Sequence, residues 1–298
     1  MMTGPVGRRG TGVRWQTRRM PMQRRFAQVD VFTAEALLGN PVAVVLDSDG
    51  LDTARMLAFT EWTNLSEATF VGPPTHPDAD YAVRIFCPGR ELPFAGHPTL
   101  GTCHAWLAAG GVPKGEDIVQ ECGAGLVRIR RDEGRLAFAA PPLARSGPLD
   151  DAELDAVVAF LRITRADVID HAWCDNGPGW RGILLRSADA VLALDPDPAL
   201  VRGLDVGVAG LHPPGAEIAV EIRTFFDGNQ GLVEDPVTGS FNAAIGQWLT
   251  ATGHLPDRYV AAQGTAIGRA GRIHVVRLGD DVWVGGSAVT VLEGLAGL

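Results

Sequence analysis

Two stretches of the chain carry apolar residues on nearly every side rather than along one stripe. Residues 94–113 contain no Asp, Glu, Lys or Arg, and residues 241–252 are equally free of charge. A helix that is apolar all round is buried all round. The first stretch holds two histidines, four glycines and prolines at 98 and 113, a mixture foreign to a lipid-facing helix. Both stretches are therefore expected to be central helices of a soluble fold, with bodies at 100–109 and 241–252.

Each helix follows a segment of alternating β-branched and aromatic residues, Tyr81–Cys87 and 217–226, and then a turn containing Gly or Pro. That is the pattern of a strand closed by a turn. Gly96-His97-Pro98-Thr99 and Thr238-Gly239-Ser240 open the helices. Proline is tolerated in a first turn because the N–H groups there lack intrahelical partners. Further strands are expected at 25–32, 41–46, Ala68–Gly72, 127–131, 136–140, 182–187, 259–263, 272–278 and 282–291, and outer helices at 52–62 and 150–161.

The two strand–loop–helix segments match each other. Arg84, Phe86 and Gly89 correspond to Arg223, Phe225 and Gly228 at an offset of 139 residues; Glu91, Pro93, Gly96, Ala108 and Gly110 correspond to Glu234, Pro236, Gly239, Ala251 and Gly253 at an offset of 143. The second copy has a loop four residues longer. A period near half the chain excludes a solenoid of short units and points to a duplicated domain. The simplest architecture is α+β, two similar sheets each wrapped around one apolar helix.

Composition narrows the function. The 298 residues include 46% hydrophobic and 20% charged residues, with a net charge of -9, which argues against a general nucleic-acid binder. The charge is uneven: residues 1–25 hold seven arginines and no acid, so the remainder carries -16. Residues 1–22 lack the apolar core of a secretory signal and read as a disordered basic extension, or as sequence upstream of a start at Met20 or Met22. Cys87, Cys103, Cys122 and Cys174 form no CxxC pair, and HExxH is absent, so reduced thiols, a cytoplasmic location and no metal site are expected. The Gly264, Gly268 and Gly271 series precedes a strand, so it marks a turn and not a nucleotide fingerprint.

The candidate chemistry gathers at the repeat. A helix start rich in glycine presents free N–H groups and the positive end of the macrodipole to an anion. Two such ends facing each other across a cleft would hold a carboxylate and stabilise an enolate-like charge. The glycines also suit tight turns with no ligand. His97, Glu91, Glu234, Asp235 and Ser240 are the polar residues near these turns, and an Asp or Ser there equally serves as a helix cap. Glu67 lies between Leu65 and an expected strand. In an apolar pocket its pKa would rise and it would exchange protons near neutrality; its spacing equally suits an exposed loop.

Val29-Asp30-Val31-Phe32, Gly39-Asn40-Pro41-Val42-Ala43-Val44, Leu65-Ser66-Glu67-Ala68-Thr69-Phe70, Arg90-Glu91-Leu92-Pro93-Phe94-Ala95-Gly96-His97-Pro98-Thr99 and Glu234-Asp235-Pro236-Val237-Thr238-Gly239-Ser240 together resemble the phenazine-biosynthesis (PhzF-like) isomerase family. Gln263-Gly264, Gly268-Arg269 and Val284-Gly285-Gly286-Ser287-Ala288 fit its C-terminal pattern, and the resemblance spans about 24–294. It implies the diaminopimelate-epimerase-like fold: two pseudo-symmetric domains, each a mostly antiparallel β-sheet or barrel around a central apolar helix. The domains would be 23–141 plus about 286–298, and 142–285, with the active site between them. It further implies a cofactor-independent isomerase or epimerase moving a proton on a small carboxylate-bearing metabolite, as a homodimer with no nucleic-acid or membrane partner. Glu67, His97 and Asp235 would be catalytic, with Gly96, Gly239 and Ser240 binding substrate. Thiol-dependent racemases of the same fold place cysteines where Ala95 and Thr238 stand here, which favours a carboxylate mechanism. A non-catalytic relative that only binds small carboxylates is the alternative.

Overall fold

The computed structural model describes residues 22–228 and 231–298; the basic extension expected at the N-terminus lies outside them except for Met22. The elements of the first half are β1 (Gln23–Val31), β2 (Asn40–Val45), α1 (Thr53–Thr63), β3 (Ala68–Gly72), β4 (Tyr81–Cys87), β5 (Arg90–Leu92), α2 (Gly96–Ala108), β6 (Ile118–Cys122), β7 (Gly125–Asp132) and β8 (Arg135–Ala139). The second half holds α3 (Asp151–Leu161), β9 (Val168–Cys174), β10 (Trp180–Leu185), α4 (Ala188–Leu192), β11 (Val206–Leu211), β12 (Val220–Gly228), β13 (Gly231–Glu234), α5 (Gly239–Ala251), β14 (Arg258–Gln263), β15 (Gly271–Leu278) and β16 (Asp281–Gly286). β17 (Ala288–Gly297) closes the chain.

The halves share one pairing scheme. β2 runs parallel to β3, β4 pairs antiparallel with β3 and β5 and parallel with β6, and β6–β7–β8 is an antiparallel meander. Shifting each number by eight gives the second half: β10 parallel to β11, β12 antiparallel to β11 and β13 and parallel to β14, then the meander β14–β15–β16. β8 pairs with β16 and joins the halves, while β17 returns to pair with β1. The result is a sheet-dominated α+β fold.

α2 and α5 occupy the positions that their sequences demand. Residues 96–103 of α2 are all buried, as are 241–246 of α5. A Cβ on Gly101 would stand 2.4 Å from Val42 Cγ1, so glycine lets α2 lie directly on β2. α2 is tied down by polar contacts as well: Thr102 donates to Thr69 at 2.8 Å and Gln120 to Thr99 at 3.0 Å.

Two strand expectations need correction. The run 282–291 is two strands: β16 follows β15 and β8, and after Ser287 the chain crosses to β1 as β17. Its hydrophobic pattern continues through the break, so the pattern alone could not show the change of partner. The strand expected at 217–226 is shifted to Val220–Gly228. β5, β6, β9, β11 and β13 are not expected from the sequence, and β13 stands where a longer loop is expected. β11 holds Gly207 and Gly210, residues that weaken strand propensity. Gly207 is needed because a Cβ there would stand 2.2 Å from the ring of Phe241 on α5.

Candidate active site

The starts of α2 and α5 meet. A Cβ on Gly239 would stand 2.9 Å from both Gly96 Cα and His97 N, and one on Gly96 would stand 3.0 Å from Gly239 Cα and 2.7 Å from the Phe138 ring. Only hydrogen side chains allow this approach. The outer helices α1 and α3 are capped by Asp52 and Asp150, each accepting from a first-turn N–H. The N-cap residues of α2 and α5, Ala95 and Thr238, make no such side-chain bond. Two uncapped positive helix ends therefore converge on one point.

Glu67, His97 and Asp235 surround this point. Glu67 sits at the entrance to β3; its Oε2 lies 3.5 Å from His97 Nε2, and the two side chains are 17% and 5% exposed. Neither atom has a hydrogen-bond partner. Burial, reinforced by the charge of Asp235, pushes the Glu67 carboxyl up to about 8. Burial drives His97 down to about 3, against an opposing hydrogen bond with the Pro41 backbone, so near neutrality its ring is uncharged. Burial also raises Asp235 to about 7, against hydrogen bonds from Thr238 and Asn40. A proton shared among these groups rests on the carboxyls and not on the imidazole.

Asp235 is a network residue and caps neither helix. Its Oδ1 accepts from Asn40 Nδ2 at 2.9 Å and its Oδ2 from Thr238 Oγ1 at 2.5 Å. Asn40 also donates to the Val237 carbonyl at 2.9 Å, and its amide nitrogen stands 3.5 Å from His97 Nδ1. Behind Thr238, Gln263 accepts from the Thr238 N–H at 3.0 Å and from Asn242 at 2.9 Å, and donates to Thr224, Thr238 and the Asp235 carbonyl. Ser240 stands in the first turn of α5, its Oγ accepting from Trp180 Nε1 at 3.0 Å and its carbonyl from Asn176 at 2.8 Å.

Glu67, Gly96, His97, Asp235, Gly239 and Ser240, six of the eight residues singled out from the sequence, lie in or beside α2, α5 and β3. Asn40, Thr224, Gln263, Asn176 and Trp180 complete the network and were not assigned roles. Asn40 and Gln263 stand inside motifs that carried the family resemblance, which was the available signal; Thr224 and Asn176 left none. Glu91 and Glu234 do not face Glu67. They pair with Arg84 and Arg223 on the two hairpins. The thiols Cys103 and Cys174 are buried and Cys87 and Cys122 partly so, all free. Among the described residues no group of three or more His, Cys, Asp or Glu is placed to hold a metal ion, and no helix is long and apolar enough to cross a membrane.

Residues 29–294 match the family described as phenazine biosynthesis-like protein. The chain is 34% identical over 295 residues to antisense-enhancing sequence 1 of Schizosaccharomyces pombe, covering 91% of this chain and 98% of that protein. It is 33% identical over 288 residues to the trans-2,3-dihydro-3-hydroxyanthranilate isomerase of Pseudomonas aeruginosa, covering 91% and 99%. Among solved structures, a PhzF-family protein of Enterococcus faecalis superimposes with a TM-score of 0.76 at 25% identity, over 93% of this chain and all of that one. A hydroxyproline epimerase of Agrobacterium vitis shares the fold with a TM-score of 0.58 at 14% identity, over 94% and 92%.

Proposed function

The chain belongs to the phenazine biosynthesis-like family of isomerases, and from that premise we propose that it moves a proton between carbons of a small carboxylate-bearing metabolite without a cofactor. The carrying observation is the Glu67–His97 pair, buried, 3.5 Å apart and without other partners at the facing atoms, beside the joined starts of α2 and α5.

In this reading the substrate carboxylate lies at the helix starts, held by the free N–H groups near Gly96 and Gly239. Those same dipoles stabilise the charge that develops when an adjacent C–H bond is broken. Glu67 takes the proton from one carbon and returns it to another. A carboxyl with a pKa of about 8 has both forms available near neutrality, as a shuttle needs. His97 stays neutral and, facing Glu67 across 3.5 Å at Nε2, holds the carboxyl in register while the proton remains on it. Asp235, fixed by Asn40 and Thr238, orients the substrate and tunes Glu67 by its charge. Ser240 lines the α5 side. We include in the proposal the division into domains 23–141 plus about 286–298 and 142–285, the homodimer and the cytoplasmic location.

A purely carboxylate-binding role fits less well, because holding an anion needs no carboxyl poised to exchange a proton, and the ionised fraction of Glu67 and Asp235 would repel the ligand. The test is deuterium uptake from D2O into a panel of small amino, hydroxy and unsaturated carboxylates, headed by trans-2,3-dihydro-3-hydroxyanthranilate. Wild-type protein should exchange one C–H position, and Glu67→Gln should lose about 10²–10⁴-fold of that rate. Equal exchange by both proteins would remove Glu67 from the role, and binding without exchange of any compound would favour the binding protein.

A further inference from the structure

The strands that join the halves present a different chemistry on their outer face. β7, β8, β16, β15 and β14 lie side by side. Inward they carry Ile129, Phe138, Val284 and Val275, all buried. Outward, in register, stand Arg130 opposite Ala137, Ala137 opposite Gly285, and Gly285 opposite His274. Arg135 and Arg258 flank this row, and together these residues line a groove of about 170 Å³. Its floor is low: a Cβ on Gly285 would stand 2.7 Å from that of Ala137. Three arginines stand around it, with Val276, Leu278 and Trp283 as the apolar part of its lining.

The arginines are not used up within the protein. The Arg130 guanidinium lies on the Trp283 ring, 3.1 Å from its centroid, a contact that fixes its plane. Among the described residues neither Arg130 nor Arg258 has a carboxylate within ion-pair distance, whereas Arg135 pairs with Glu133. Asp132 is the one carboxylate in the lining. Three arginines against Asp132 and Glu133 leave one surplus positive charge, and two when His274 is protonated. This positive groove sits on a folded body that is otherwise strongly acidic.

We propose that the groove binds a doubly charged oxyanion, inorganic phosphate or the phosphate group of a metabolite, between Arg130 and Arg258, with His274 as a third donor. Guanidinium forks match the oxygens of such an anion, and the small floor lets it approach. Both halves contribute, Arg130 and Arg135 from β7 and β8 and Arg258 and His274 from β14 and β15, so an occupied groove ties them together. His274 answers to the ligand: burial and the charges of Arg135 and Arg258 lower its pKa, against Asp132 and Glu133, and a bound dianion raises it.

The experiment titrates the full chain with inorganic phosphate by calorimetry at fixed ionic strength in chloride, with acetate as the singly charged control. NMR follows the His274 ring, identified by its loss in His274→Gln. Wild-type protein should bind one phosphate per chain, more tightly than acetate, with the His274 pKa moving up. The double variant Arg130→Met, Arg258→Met should weaken phosphate at least tenfold and leave isomerase exchange unchanged, which separates this groove from the helix starts. Phosphate binding unaltered in the double variant, or no saturable binding with His274 unmoved, overturns the proposal. A changed sedimentation coefficient in the double variant without phosphate binding in the wild type also overturns it, because the face would then be a contact between copies of the chain.

Discussion

Gly96 and Gly239, 143 residues apart in the chain, touch backbone to backbone: a Cβ on Gly239 would come within 2.9 Å of Gly96 Cα. The obstacle is main chain, which cannot rotate aside as a side chain does. Gly239→Ala should therefore push the two helix starts apart at a cost of about 1–3 kcal/mol, the usual penalty of overpacking. Urea unfolding measures that cost. The same displacement moves His97 N, so turnover should fall at substrate concentrations that saturate the wild type. A variant of unchanged stability and activity would mean that the helix starts do not meet as described.

Arg223 and Glu234 form a two-point ion pair at 2.9 and 2.7 Å, with the guanidinium also donating to the Val191 and Leu194 carbonyls; the side chains are 8% and 12% exposed. Their counterparts in the first half, Arg84 and Glu91, pair in the same way but are 38% and 40% exposed. One geometry in two dielectrics predicts two costs. Glu234→Ala strands a buried cation and should cost about 3–5 kcal/mol, while Glu91→Ala should cost about 0–1 kcal/mol. Denaturant midpoints of the two variants decide it, and equal losses would contradict the difference in burial.

Asn40 reaches from β2 to Asp235 across most of the chain, and its hydrogen bond favours the ionised carboxylate. Asn40→Ala removes that donor, so the Asp235 carboxyl should titrate at higher pH than in the wild type. The apparent pKa in the pH–rate profile that is lost in Asp235→Asn identifies the group, and in Asn40→Ala it should move upward with folding intact. A downward or absent shift would show that Asn40 does not govern this carboxyl.

The legible parts of this protein are those where local pattern and tertiary place coincide. The chargeless runs of α2 and α5 could only be interior, and the matched Arg, Phe, Gly and Glu positions tracked hairpins of the same construction. Glu67 was visible as a candidate because it stands between apolar residues, yet whether it was buried depended on β4 and α2 folding over it. Asn40, Thr224 and Gln263 act through partners 14 to 197 residues away, a distance at which no spacing rule operates. β11 is illegible in the sequence for a related reason: Gly207 answers to the Phe241 ring on α5 and not to its neighbours in sequence.

Glu67 should lower the stability of the fold as pH rises. Its ordinary pKa of 4.5 is raised to about 8 in the folded state, so between those values the folded chain holds a proton that the unfolded chain has released. Folding then binds protons, and stability falls with increasing pH across that window. Asp235, raised from 3.8 to about 7, acts in the same direction. Glu67→Gln keeps the shape of the side chain and has no proton to lose. It should match the wild type near pH 4.5 and exceed it progressively up to about pH 8, by an amount on the order of a few kcal/mol, while losing isomerase exchange. Melting temperatures of both proteins at pH 5, 7 and 9 test this. A difference that is constant with pH would mean that Glu67 titrates as an exposed carboxylate does, and one of opposite sign that its pKa is lowered; either removes the elevated pKa on which its role as a proton shuttle depends.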